Sequence, residues 1–516
     1  MASKEDSQQK KLKAFLERRH PEYEAMLPHW LFLNACYAGG RSWFKDNIFR
    51  YIKEGDKEYE DRLQRAYRFN HTREVVDLVD KHLFKQVISR SEDAPQCIKD
   101  FWKSATLNKL GINEFMKEVS TKGSINGRPW IVVDNSKSNP QASIAEDRES
   151  GARTYAYVVT PQHVLDMSHD DEGTLNWILI HEQIRDDEDP IESSGKMIDR
   201  YRLWTRSDWT LFTAMPDGRN VRIEVEGPFE HGLGVVPVIP ADNVVSSELY
   251  TSSALIDDVA YLDRAVSNYL SNLDAIIQDQ TFSQLAMPAQ GILPGEEGHD
   301  KLITMGTKRI FTYDGEGGGQ PFYLSPDVKQ AELILGVINK IIGEIYHTVG
   351  LAGERTKDDN SQGIDNSSGV AKAYDFERVN SLLASKADSL EVIENRLAEL
   401  VAKWNGEEIK ESLISYPDDF DVRGLYDEFE IAARLSLIEA PEGMRRQQME
   451  SVIDKLFPRI KNELREKMLG ELKKWPPKLE ELGLPSQPGQ GPGKGNAKDP
   501  VKKEGRNSLA NKLVKE

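Results

Sequence analysis

Carboxylates offer the most chemistry in this 516-residue chain. Asp170-Asp171-Glu172 and Asp186-Asp187-Glu188-Asp189 are dense enough to attract a divalent cation, and clustered acids are what a Mg²⁺-dependent hydrolase needs. Both clusters fall between strand-like stretches, in loops, whereas working metal centres are built on rigid elements. A solvated acidic loop is the plainer reading of each. His181-Glu182 has no second histidine at the spacing of a zinc hydrolase. A phosphate loop is missing too: Gly195-Lys196 runs into Met197, Gly493-Lys494 runs into Gly495, and the glycines at 315–319 lead to no helix bearing a lysine. There is no G-x-S-x-G nucleophile turn. Cys36 sits in the apolar stretch Leu31 to Tyr37 and reads as a small buried hydrophobe. With Cys97 as the only other cysteine, one chain can build neither a disulfide framework nor a four-cysteine zinc site. The expectation is a non-enzymatic protein without metal or cofactor, made in a reducing, cytosolic setting.

The elements that would position any site follow from periodicity and charge. Asp+Glu is 85 against 67 Lys+Arg, a formal net charge of −18. A mean field of that sign repels phosphate, which makes the chain a poor candidate for wrapping duplex DNA by charge neutralisation, though local basic patches stay open. Met1 to Arg19 lacks the apolar core of a secretory signal, and no uncharged run approaches the ~20 residues of a membrane span, so a soluble protein is expected. The first hundred residues have helical spacing, broken at Gly39-Gly40, and a further helix is expected from Ile98 to Val119, ending near Lys122-Gly123. From about 128 to 240, short stretches such as Trp130-Ile131-Val132-Val133 and Trp177-Ile178-Leu179-Ile180 predict a mostly antiparallel β region. Leu255, Val259, Leu262, Val266, Tyr269, Leu273 and Ile276 then advance by alternating fours and threes, one apolar seam on a helix from about 250 to 280. Such a seam packs either against other copies or inside one subunit. Asp257, Asp258 and Asp263 lie off it. Residues 282–324 have strand and turn character, and Ser325-Pro326-Asp327 starts a helix that ends near Gly350. A polar loop, Gly353 to Ser368, leads into a long helix striped by Phe376, Val379, Leu383, Leu390, Ile393, Leu397, Leu400 and Trp404. A strand at Ile414 to Pro417 and helices near 424–438 and 442–474 follow, and the basic Pro/Gly-rich tail beyond Pro485 reads as disordered.

This order, together with Tyr59-Glu60-Asp61-Arg62-Leu63-Gln64-Arg65-Ala66-Tyr67, Gly234-Val235-Val236-Pro237-Val238-Ile239-Pro240 and Ser368-Gly369-Val370-Ala371, resembles the portal protein of tailed bacteriophages over roughly residues 30 to 475. The resemblance implies an α+β, portal-like fold, mainly helical, with a β-rich wing, long stem helices, a small α/β clip and a helical crown. The parts would be wing 1–245, stem helix 246–280, clip 281–326, stem helix 327–350, tunnel loop 351–368, wing helix and strand 369–419, crown 420–483 and a basic tail 484–516. It further implies a closed ring, usually of twelve subunits in that family, at one capsid vertex, passing double-stranded DNA during packaging, retention and ejection. Its partners would be terminase, then the head-completion adaptor, with major capsid and scaffolding proteins around it and no membrane. The setting would be the virion, after assembly in the host cytoplasm.

Under that resemblance Asp257, Asp258 and Asp263 become stem residues facing the channel or a neighbouring subunit, with ordinary solvated helix charges as the other reading. Leu255, Val259, Leu262 and Val266 become the packing seam between side-by-side stems. Arg355, Lys357, Asp358 and Asp359 fall in the tunnel loop, where Arg355 and Lys357 either touch phosphate or only balance the adjacent acids. The competing reading is a phage DNA-processing enzyme, a Mg²⁺-dependent nuclease or packaging subunit; a capsid-associated scaffold protein without a channel is a third.

Overall fold

A computed structural model describes residues 2–52, 54–136, 153–217, 220–280, 284–288, 310–313, 320, 322–324, 329–351, 369–418, 420, 442–456 and 462–473. The chain divides into two units, Met1–Val422 and Arg423–Glu516. The architecture is α+β. The first unit opens with five helices, α1 Ala2–Glu17, α2 Pro21–Ala38, α3 Arg41–Asn47, α4 Asp56–Arg65 and α5 His71–Leu83. Their starts have local causes. Pro21 sits at the first turn of α2, where its missing N–H costs nothing, and Asn70 Oδ1 caps α5 by accepting from the Arg73 N–H at 3.0 Å. The two-residue β1, Ser89–Arg90, is followed by α6 Gln96–Lys103 and α7 Ile112–Asn126.

The single helix expected over 98–119 is therefore two. Lys109 takes a positive φ of 63° in the turn between them, and the Arg153 guanidinium holds that turn by donating to the carbonyls of Ser104, Thr106 and Leu107. Tertiary hydrogen bonds outweigh helical spacing here.

The β region is antiparallel, as expected, and forms two sheets. In the first, β2 Trp130–Ser136 lies between β3 Arg153–Val159 and β9 Val238–Pro240; the second is a meander of β4 Val164–His169, β5 Leu175–Arg185, β6 Met197–Thr205, β7 Asp208–Asp217 and β8 Asn220–Glu230. Successive side chains of a strand point to opposite faces. Accordingly Ile131 and Val133 enter a helical core, while Trp130 and Val132 enter a second core against the meander, with Ile178, Leu179, Ile180 and Trp204. That double burial explains a strand that reads as an unbroken apolar run.

Next come α8 Asp257–Gln280, a small sheet of β10 Gln284–Pro288, β11 Ile310–Tyr313 and β12 Phe322–Leu324, then α9 Lys329–Thr348 and the 36-residue α10 Gly369–Trp404. In the small sheet β10 is central, parallel to β11 and antiparallel to β12. β13, Ile414–Ser415, pairs with β1, and Arg90 and the Tyr416 hydroxyl both reach Glu394 of α10 beside that pair, at 2.6 and 2.7 Å. Val379, Leu383, Leu390, Ile393 and Leu397 of α10 are buried in the helical core, as their stripe predicts.

The helix expected from about 247 or 250 begins only at Asp257. The residues before it are tied across the end of α7: the Leu255 N–H donates to Ser124 O at 3.0 Å, Asn243 Nδ2 donates to Ser253 O, and Gly127, at φ +78°, leaves space for the Ser252 carbonyl where any β-carbon would sit 1.8 Å from it. In the second unit, the expected helix over 442–474 is seen as α11 Glu442–Leu456 and α12 Asn462–Leu472. The expected helix near 424–438, the tail 484–516, most of the insert at 282–324 and the loop at 352–368 lie outside the described residues. Among the described residues, no helix is long and apolar enough to cross a membrane.

Candidate functional site

The candidate site is α8 with α9. The two run antiparallel: Tyr346, near the end of α9, donates to Glu74 Oε2 at 2.5 Å, and Thr72 on the same turn of α5 meets Asp263, near the start of α8. α8 packs along α9, and Leu255, Val259, Leu262, Val266 and Leu273 of its seam belong to the helical core of this one chain, whereas Tyr269, expected on the same seam, is exposed. Val259 is 0% and Val266 1% exposed, with Leu255 and Leu262 packed against the same core. The seam expected between copies is thus an intrachain seam. Periodicity shows that a face is covered, but not by what.

The polar face of α8 is docked as well. Asp263, expected at a channel or a neighbouring subunit, is 0% exposed. Its Oδ2 accepts from Arg68 Nη2 at 2.5 Å, from the Thr72 N–H at 3.0 Å and from the Thr72 hydroxyl at 2.6 Å. Arg68 in turn lies over the Trp43 ring, 4.2 Å from its centroid. A carboxylate taken out of water needs such partners, because an unpaired buried charge is far costlier than a paired one. Further along, Ser271 accepts from Arg62, which is also clamped by both Glu54 oxygens, and Arg65 reaches Asp274 at 3.3 Å. Arg62, Arg65 and Arg68, at three-residue steps, are the sequence signal of this docking.

Asp257 is only partly available. One oxygen accepts from the Ala254 N–H at 2.9 Å, just ahead of the helix, and the other lies 2.8 Å from His29 Nε2. Asp258 alone of the three is exposed and makes no ion pair among the described residues. Arg355, Lys357, Asp358 and Asp359 lie outside those residues.

Three further features were not foreseen. Lys386 of α10 is buried, its Nζ donating to Ser124 Oγ at 2.5 Å, Asn243 Oδ1 at 2.8 Å and Ser120 O at 3.3 Å. Burial pushes its ammonium down to about 8, opposed by the nearby Asp80 carboxylate. Asp80 is itself held by the hydroxyls of Ser120 and Thr121, both at 2.5 Å, and burial raises it above the usual carboxylate range. Second, Cys36 is buried as expected and accepts from the Trp43 indole at 3.3 Å; desolvation pushes its thiol up to about 11, so it is no nucleophile at neutral pH. Third, Arg264 lies over three rings, Phe32, Tyr261 and Phe49, on the outside of α8.

The loop acids are occupied by turn geometry. Asp170 accepts from Arg206 and from the N–H groups of Glu172 and Thr174, Asp186 from the Ser194 N–H and hydroxyl, and Asp189 from the N–H groups of Ile191 and Glu192. These hydrogen bonds hold all three carboxyls below their usual range. Among the described residues no group of three His, Cys, Asp or Glu side chains is placed to hold a metal ion.

No protein-family model matches the chain, and the curated proteins give no match. Among solved structures, the chain is similar to a chain from the virion of a native gene transfer agent particle, at 11% identity and a TM-score of 0.40, covering 81% of this chain and 92% of that one. It is also similar to a chain from the neck of the native particle computed with C12 symmetry, at 10% identity and a TM-score of 0.39, covering 81% and 90%. A chain from the neck of the empty particle computed with C6 symmetry stands at 11% identity and 0.37, covering 71% and 85%. At this level of superposition the likenesses carry no argument about role.

Proposed function

We propose that this chain is a subunit of a ring-shaped conduit for duplex DNA at one vertex of a phage-type capsid, acting without catalysis of its own. The observation that carries the reading is the order and pairing of elements after the sheets. Two long antiparallel helices, α8 and α9, are joined through a small three-stranded sheet, and a polar stretch at 352–368 separates them from the 36-residue α10. This is the stem, clip, stem, tunnel loop and wing helix order of the portal proteins that the sequence resembles.

On this reading α8 presents to the channel not its docked acidic face but the exposed strip bearing Asp258, Tyr269 and Asn272. A wall of polar groups in a chain of net charge −18 binds phosphate weakly and lets a duplex slide. Twelve copies would close the ring. The small sheet would dock terminase during packaging and the head-completion adaptor afterwards, with capsid and scaffolding proteins around the ring.

Negative-stain images and native mass of the purified protein test this. A closed ring with a central hole supports the conduit; a monomer at high concentration, or Mg²⁺-dependent DNA cleavage, overturns it. Deleting 355–366 is expected to leave rings intact and impair DNA packaging or retention, and loss of rings would remove the tunnel-loop assignment.

A further inference from the structure

We infer that the aromatic cluster around Arg264 receives the outer face of α9 from a second copy of this chain; this rests on the ring reading and names its contact surfaces. Residues two apart on a helix are separated by about 200°. Tyr261, Arg264 and Asn268 therefore point away from the seam residues Val259 and Val266. On α9, Gly336 and Gly343 likewise point away from the buried Ile338 and Ile345. The helix pair thus has two opposite flanks, which is what a head-to-tail contact that closes a ring requires.

The two flanks are complementary in shape. The first is raised and rigid. The loop after α3 is held by Asn268, whose Oδ1 accepts from the Phe49 N–H at 2.8 Å and whose Nδ2 donates to Asn47 O at 2.9 Å. It is braced again by Arg62 on Phe49 O. Held this way, Phe49, Tyr51 and Ile52 stand in solvent, Ile52 at 98% exposure. Three large apolar side chains exposed side by side form a contiguous patch, which marks an interaction site where a single exposed one would not. The second flank is notched. A β-carbon at Gly336 or Gly343 would meet nothing within 4 Å, and Leu333 is 70% exposed beside them.

They are complementary in charge too. Arg264 is stacked on three rings but has no carboxylate partner among the described residues, and aromatic rings with arginine are the composition of interface hot spots. Glu332 and Glu344 border the glycine notch on α9 and make no ion pair there either. Seated on the notch, the first flank would bring its guanidinium to these acids and cover the Phe49 to Ile52 loop.

The test uses the full chain and three surface variants. Ile52→Asp and Gly343→Leu alter positions in open space, so neither should lower the melting temperature, and Gly343→Leu should raise it slightly by removing a glycine from a helix interior. Both are expected to raise the concentration needed for assembly by about tenfold or more, read by sedimentation velocity. Arg264→Glu should do the same, and combining it with Glu344→Arg should restore assembly in part. If the unsubstituted protein forms rings and the folded Ile52→Asp and Gly343→Leu variants assemble as well as it does, this interface is wrong while the ring stands. If the unsubstituted protein stays monomeric, both readings fall.

Discussion

Asp263 of α8 and Arg68, just before α5, meet at 2.5 Å with side-chain exposures of 0% and 5%. The pair fixes the long helix to the N-terminal helices from a face that looks, by sequence, like a solvent face. Removing one member strands the other in the core. Asp263→Ala is therefore expected to cost about 3–5 kcal/mol of unfolding free energy, whereas Asp258→Asn should stay within about 0.5 kcal/mol. Urea unfolding of the two variants separates a docked acid from a free one.

Lys386 gives a pH signature. Its folded-state value is depressed to about 8, below the 10.5 of an exposed lysine, so between these values the unfolded chain binds more protons than the folded one. Stability from this group therefore rises as pH climbs from about 8 to 10.5 and is lost as pH falls back through 8, an effect on the order of a few kcal/mol. Denaturant midpoints across that window should show the slope in the unsubstituted protein and its loss in Lys386→Met. Equal slopes in both would remove Lys386 as the cause.

A side chain guards the edge of the meander. Gln9 Nε2 donates to Ile223 O and Gln9 Oε1 accepts from the Ile223 N–H, both at 3.0 Å, so the amide of α1 stands in for a neighbouring strand on β8. Exposed strand edges invite pairing with other chains. Gln9→Leu should cost about 1–2 kcal/mol and speed hydrogen exchange at the Ile223 amide. Unchanged exchange there would show that α1 contributes no edge protection.

Gly127→Ala tests the lead-in to α8. The new β-carbon would press on the Ser252 carbonyl, and the positive φ adds strain. A loss of more than about 2 kcal/mol is expected. A neutral result would mean that residues 246–256 can leave the end of α7 freely.

Much of this fold was legible in particular residues. Trp130 to Val133 announced a strand buried on both sides, the stripe from Val379 to Leu397 announced α10, and Cys36 announced a core position. The misreadings share one cause. Periodicity records which face of an element is covered, and local preference records where it would end if left alone; neither records the partner. Hence the seam of α8 reads by sequence as one between copies although α9 covers it, Asp263 reads as facing a channel or a neighbouring subunit although Arg68 holds it, and one helix is expected through Lys109, where Arg153 holds a turn. The Arg264 cluster is not legible in the sequence because two of its rings, Phe32 and Phe49, lie more than 200 residues upstream of it.

β2 has its own consequence. Because Ile131 and Val133 belong to one interior and Trp130 and Val132 to the other, the strand acts as a rivet through two plates. On the proposed reading, a load taken up by the helical core would pass into the meander through this shared strand, and a substitution in it would be felt on both sides.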